Sequence, residues 1–196
     1  RPDLSTDASA FDALAHGYDA QFTNTAVGRL MRRAVWRRCA ASFAPGSRIL
    51  EMNCGTGEDA LWLAQCGVRV LATDASVQML QVAQAKLDSA TPCAAVHFRQ
   101  LAWEQLGTLQ SGLFDGALSN FGGLNCVNDL SMAARDLAAQ LRRGAVAIVC
   151  IMGPVVPWEW IWYLARGKPG TAFRRLRRRA VSWSGLEIHY PAIAEV

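Results

Sequence analysis

The sequence predicts an α/β fold: a doubly wound, mostly parallel sheet with helices in front of it. Three observations carry that prediction. Apolar runs of strand length alternate with amphipathic stretches of helix length between residues 48 and 152. A glycine-bearing turn, Asn53-Cys54-Gly55-Thr56-Gly57, joins the first apolar run to the first helix of that alternation. Two acids, Glu51 and Asp74, close the first and second apolar runs and lie 23 positions apart. A strand, a glycine turn, a helix and a second strand ending in an acid make the nucleotide-binding half of such a sheet. The glycines let backbone approach a ligand closely, and the second acid can accept hydrogen bonds from two ribose hydroxyls.

The elements follow in order. Residues 9–41 read as helical: Phe11, Leu14, Ala15 and Tyr18 recur at helical spacing. A second segment, 27–43, sets Leu30, Met31, Ala34, Val35 and Trp36 against Arg29, Arg32, Arg33, Arg37 and Arg38, and Pro45-Gly46 ends it. Strands are expected at 48–52, 68–73, 95–99, 114–119 and, buried, at 145–152. Helices are expected at 58–66 (capped by Gly67), at 77–89 after Ser76, and at 129–141. Strands in such alternation form a parallel sheet with right-handed crossovers and bind ligands at their carboxyl ends. The domain division that follows is 1–45 for covering helices, 46–153 for the ligand-binding core and 154–196 for a cap.

The cap differs in composition. Residues 144–165 are almost wholly apolar, but Pro154 and Pro157 interrupt them, which argues against one membrane-spanning helix. A turn and a short Trp-rich helix are expected instead, with Trp158, Ile161, Trp162 and Ala165 on one face. That stripe reads as core packing or a cover over the site ahead of membrane contact. Seven basic residues and no acid lie between Arg166 and Arg179; removing those seven turns the net charge from +4 to −3. So local a cluster suits an anionic ligand, a membrane surface or nucleic acid, or is simply a solvated face. The segment 181–191, VSWSGLEIHYP, reads as one or two short strands.

At 196 residues and 52% hydrophobic content the chain is long enough for one domain with a sizeable core. The six cysteines (Cys39, Cys54, Cys66, Cys93, Cys126, Cys150) are scattered, with no CxxC and no His/Cys cluster. That excludes a zinc ribbon and a disulfide scaffold and fits reduced thiols in a cytoplasmic protein without a metal.

The acids Glu58 and Asp59 bear on the nucleotide. A dinucleotide fingerprint, G-x-G-x-x-G, sets pyrophosphate on the helix N-terminus, where these two carboxylates would repel it. They suit a ligand with a cationic centre and no phosphate. ILEMNCGTGEDALWLA, then VLATDASVQMLQVAQAKL, then FDGALSNFGGLN together resemble the class I S-adenosylmethionine-dependent methyltransferases over roughly residues 9–152. The resemblance implies a Rossmann-like methyltransferase fold, S-adenosylmethionine as methyl donor and S-adenosylhomocysteine as product.

It also implies roles for residues. Glu51 orients the turn or the amino acid end of the ligand; Asn53, Cys54, Gly55, Thr56 and Gly57 line the methionine moiety; Asp74 takes both ribose hydroxyls. Ala75, Ser76 and Met79 lie against adenine, and Ser119, Asn120 and Phe121 flank the sulfonium. Tyr18 closes over the methionine carboxylate or is a packed helix aromatic, and Arg29 and Arg33 are either further partners of that carboxylate or surface residues. The family's first turn glycine is Asn53 here, which tolerates a left-handed backbone. Its acid after the third strand is replaced by Gln100-Leu101-Ala102-Trp103. Adenine recognition then falls to backbone of Leu101 and Ala102 with Trp103 as a wall, or to Glu104.

No catalytic residue is assigned among His16, His97 and His189, because methyl transfer needs chiefly alignment. The acceptor expected is small or amphipathic, under a cap of residues 157–190. Nucleic acid is less favoured, and peripheral membrane contact through Trp158 to Arg179 stays open. A non-catalytic S-adenosylmethionine-binding protein and a nicotinamide oxidoreductase are the alternatives. The family sheet has seven strands, of which five are recognisable, so the chain is expected to be a fragment or shortened member lacking the final hairpin.

Overall fold

The computed structural model describes residues 4–89, 95–176, 181–183 and 186–191. Helix α1 (Leu4–Tyr18) passes through a π-helical turn at Asp19–Thr23 into α2 (Ala26–Ser42). The Thr25 hydroxyl caps α2 by accepting from the Gly28 N–H at 3.0 Å. Then come β1 (Arg48–Met52), α3 (Glu58–Gln65), β2 (Arg69–Asp74), α4 (Val77–Ser89), β3 (Val96–Gln100), β4 (Phe114–Ser119), α5 (Leu130–Gln140) and β5 (Leu141–Val149). Beyond the sheet lie α6 (Pro157–Leu164), α7 (Pro169–Ala172) and an antiparallel pair, β6 (Val181–Trp183) and β7 (Leu186–Ile188).

The five main strands pair in parallel in the order β3-β2-β1-β4-β5. The chain winds outward from β1 in one direction through β2 and β3, then crosses to β4 and β5 on the other side. The crevice between the ends of β1 and β4 is therefore the switch point, where open parallel sheets bind ligands. β1 is central, and Ile49, Leu50, Glu51 and Met52 are all buried, as expected when both faces are covered. Ile49 packs with Ala60, Leu63 and Val70 on the α3 side, and Leu50 and Met52 pack with Leu106, Phe114 and Leu137 on the other.

The five-strand parallel architecture with leading helices agrees with the sequence expectation. Three details differ. β5 starts four residues before its expected beginning, because Leu141 pairs with Phe114 ahead of a register shift between Phe114 and Gly116. It is also largely exposed rather than buried, since it is the sheet's edge and pairs on one side only. In α2 the expected faces hold only in part: Arg29, Arg33, Arg37 and Arg38 are exposed and Val35 packs on the core, but Arg32 is buried and Leu30 and Met31 are exposed. Beneath α2 lies the buried Asp59 carboxylate, so the residue it turns inward is a cation. Cys93 and Arg177–Arg179 lie outside the described residues.

Candidate functional site

The turn after β1 is built to leave room. Asn53 and Gly55 both take positive φ, 55° and 54°. A Cβ on Gly55 would meet nothing within 4 Å, so its backbone faces open space. Gly57 (φ 77°) has a different reason: a Cβ there would stand 2.8 Å from the Ala83 Cβ and 2.9 Å from the Phe98 Cζ, so its absence lets α3 pack on α4 and β3. Asp74, at the end of β2, holds the turn from the other side. One of its oxygens accepts from the Gly55 N–H at 2.8 Å, and the other from the Ser76 N–H at 2.9 Å. Burial pushes the Asp74 carboxyl above its ordinary range, and the Ser76 and Gly55 amides oppose the shift.

Asp59, in the first turn of α3, is the hub of a second layer. It pairs with Arg32 at 2.7 Å, accepts from the Trp36 indole N–H at 2.6 Å and accepts from the Asn120 amide at 3.0 Å. The Asn120 side-chain carbonyl accepts in turn from the Phe121 N–H at 2.9 Å, beside a positive φ of 53° at Phe121. The Arg32 guanidinium lies 4.6 Å from the centre of the Phe121 ring, which meets Phe22 edge-on at 4.9 Å. α2 and the segment after β4 thereby converge on one carboxylate of α3. Glu58 is also paired, with Lys86 at 3.1 Å; Lys86 bridges to Asp19 at 2.7 Å, and Asp19 accepts from the Thr56 hydroxyl at 2.7 Å. Each of the two acids after the turn thus has a cation in ion-pair range, although Lys86 serves Asp19 as well as Glu58.

Of the residues singled out from sequence, Tyr18, Asn53, Cys54, Gly55, Thr56, Asp74, Ala75, Met79, Ala102, Trp103, Asn120 and Phe121 line one cavity at the switch point. Glu51, Gly57, Ser76, Leu101 and Ser119 lie behind its wall. Ser76 caps α4: its hydroxyl donates to Asp12 and accepts from the Met79 N–H at 3.1 Å. The Leu101 N–H donates to the Asp74 carbonyl at 3.0 Å and the Ala102 N–H to Gln105 at 3.1 Å, so neither amide is free for a ligand. The Trp103 indole N–H donates to the Asn53 side chain and fixes the turn residue that replaces glycine. Glu104 does line the cavity.

Glu51 is fully buried under Asp59 and Arg32; burial first, and the Asp59 charge second, push its carboxyl well above the ordinary range. Burial likewise raises the Tyr18 hydroxyl and the Cys54 thiol, keeping both neutral. Arg29 and Arg33 are exposed on α2.

Sequence reasoning missed Phe11, Arg32, Asp59, Gly122, Gly123, Cys126 and Val127 as lining residues. A signal for Arg32 existed: Gly28, Arg32 and Cys39 recur at one helical face and are the buried residues of α2. The Arg32 Nε is buried and has no partner, an orphan donor on a residue that lines the cavity. Among the described residues no cluster of His, Cys, Asp or Glu can hold a metal, and no helix is long and apolar enough to cross a membrane.

Residues 49–144 match a family model described as a methyltransferase domain. The chain belongs to the class I S-adenosylmethionine-dependent methyltransferase family. It is 32% identical over 146 residues to a demethylmenaquinone methyltransferase of Mycolicibacterium gilvum, and 32% identical over 149 residues to that of Mycobacterium marinum. Each match covers 73% of this chain and 58% of the relative, so the chain spans under two thirds of the length of the proteins it matches. Among solved methyltransferase-type structures, the DhpI–SAM–HEP complex aligns over 95% of this chain and 82% of its own, with a TM-score of 0.65 and 20% identity. The YcgJ protein of Bacillus subtilis aligns over 69% and 58%, with a TM-score of 0.56 and 19% identity. At those identities the likeness speaks for the fold: the five-stranded sheet and its leading helices are those of this family.

Proposed function

We propose that the cavity binds S-adenosylmethionine and that the chain directs its methyl group to a small, lipophilic acceptor. The observation that carries the reading is that Arg32, whose buried Nε has no hydrogen-bond partner, and the Asp74 carboxylate line the same cavity. A ligand with a carboxylate at one end and a ribose diol at the other satisfies both. When bound, the sulfonium supplies an activated methyl group for in-line displacement.

The protein's own groups do the rest. Arg32 donates to the methionine carboxylate, while Gly55 backbone lies alongside the amino acid. Asp74 keeps two lone pairs beyond those used by Gly55 and Ser76, enough for both ribose hydroxyls. Met79 and Trp103 would hold adenine, and Glu104 would accept from its exocyclic amine. Asn120 and Phe121, held by Asp59, set the far wall against which the acceptor aligns, and their largely apolar surroundings exclude water. Among the described residues no histidine lines the cavity, so no histidine base is assigned to the acceptor.

The acceptor would lie against Phe121, Gly122, Gly123, Cys126 and Val127, a mostly apolar part of the lining. This wall and the demethylmenaquinone methyltransferase relatives support an aromatic, quinol-type ring as the acceptor class. Calorimetry with S-adenosylhomocysteine and with NAD tests the cofactor: the first should bind and the second should not. Radiolabelled methyl transfer to a demethylated quinol then tests the acceptor. Tight S-adenosylhomocysteine binding with no transfer to any quinol would favour the non-catalytic alternative, and tight NAD binding would overturn the reading.

A further inference from the structure

Helix α6 is built inside out. Its one acid, Glu159, is 6% exposed and paired inward with both Arg174 and Arg175. Its apolar side chains point the other way: Trp158 is 67% exposed, Ile161 71% and Trp162 49%. Val155, Leu164, Phe173 and Leu176 extend the same surface to either side and are exposed as well. The sequence pattern suggested that this stripe packs or covers the site; the structure instead turns its polar member in and its aromatics out. Contiguous exposed apolar surface of this kind marks an interaction site.

The charges around it choose the partner. Between residues 160 and 176 there is no acid, while Arg166 and Lys168 are both exposed. The Arg166 guanidinium lies 3.4 Å from the centre of the Trp162 ring, so cation and aromatic form one unit. Two arginines share the single Glu159 carboxylate, which leaves that side net positive too. Exposed tryptophans and isoleucine rimmed by unopposed cations match a bilayer interface, where indoles sit at headgroup level and basic groups meet anionic lipid. An eight-residue helix is far too short to span, so it would lie in the interface plane. The placement is apt: Met152 packs against Gly122 at the cavity wall, and α6 begins five residues later.

We propose that the face formed by Trp158, Ile161, Trp162, Arg166 and Lys168 docks this chain on anionic lipid bilayers. The inference rests on exposure and charge and stands whether or not the acceptor is a quinol. The test is co-flotation of the full chain with vesicles of phosphatidylcholine alone and of phosphatidylcholine with about one third phosphatidylglycerol. Wild type should float with the anionic vesicles, lose most of that binding at 0.5 M salt, and bind the neutral ones weakly. The double variant Arg166→Gln/Lys168→Gln should bind anionic vesicles about tenfold or more weakly, since each basic residue near such a surface contributes about fivefold. Trp158→Glu/Ile161→Glu should abolish flotation. Every substituted side chain is exposed, and unchanged melting temperatures would verify folding. Three results would overturn the proposal: no flotation of wild type; flotation of the Trp158→Glu/Ile161→Glu variant at wild-type level; or dimerisation that depends on Trp158 and Ile161 with no vesicle binding, which would assign the face to a second copy.

Discussion

Replacing Arg32 by glutamine separates its two roles. The first is structural. Arg32 and Asp59 form a buried pair whose side chains are 7% and 4% exposed, and removing one partner of such a pair typically costs about 3–5 kcal/mol. Asp59 keeps its bonds from Trp36 and Asn120, so the lower end, about 3 kcal/mol, is expected. For a domain of this size that is a fall in melting temperature of about 6–12 °C. The second role is recognition. A charge-assisted hydrogen bond contributes about 1.5–3 kcal/mol, or about 10- to 150-fold in affinity. Calorimetry well below the variant's melting temperature should find S-adenosylhomocysteine weakened by that factor. 5′-Methylthioadenosine, which lacks the amino acid end, should bind wild type and variant within about threefold of each other. If both ligands weaken equally, the orphan Nε does not meet the carboxylate, and Arg32 is a structural cation only.

Further predictions follow from neighbouring groups. Asp74→Asn places an amide nitrogen against the Gly55 or Ser76 N–H and removes ribose acceptors, so S-adenosylhomocysteine and 5′-methylthioadenosine should both weaken by about 100-fold in calorimetry. Gly57→Ala should lower stability by about 2–4 kcal/mol in urea titration, whereas Gly55→Ala should cost only about 1 kcal/mol and act mainly on ligand affinity; equal stability losses would refute the distinction. The raised Glu51 carboxyl favours the protonated folded state, so its contribution is fully present below the ordinary carboxylate range and is lost as pH rises above about 4. Glu51→Gln, which cannot ionise, should therefore gain melting temperature relative to wild type from pH 5 to pH 8, and a pH-independent difference would contradict the assignment.

Much of this fold was legible because its signals are local. β1, β4 and α4 begin and end where the apolar periods and the Ser76 cap put them. Asp74 and the glycine turn follow from the same strand–turn–helix grammar. What was not legible depended on partners distant in sequence. Ser76 is a residue of the right type at the right place, yet its hydroxyl is consumed by Asp12, 64 positions away, and by Met79. Leu101 and Ala102 offered free amides on paper, but Asp74 and Gln105 take them. Arg32 looked like one of five arginines on a solvent face, because amphipathic patterning presumes an apolar interior, and here the inward side chain meets the buried Asp59 carboxylate.

Glu58 and Asp59 are the instructive pair. As sequence they argued against phosphate by simple repulsion, a reading that presumes both charges act on the ligand unscreened. In the folded chain Arg32 pairs with Asp59, and Lys86 is shared by Glu58 and Asp19, so the repulsion at the helix N-terminus is reduced. Selectivity against a dinucleotide must then come from elsewhere. The position that pyrophosphate would take over Gly55 is bordered by the Asp74 carboxylate and by Thr56, whose hydroxyl is tied to Asp19. Neither can donate to phosphate, while Arg32, whose Nε has no partner, also lines the cavity. The discrimination is thus a matter of where donors are left unpaired rather than of net charge. It follows that neutralising Glu58 alone, as Glu58→Gln, should leave the preference for S-adenosylhomocysteine over NAD unchanged in calorimetry. A gain of NAD binding in that variant would restore the repulsion argument in its original form.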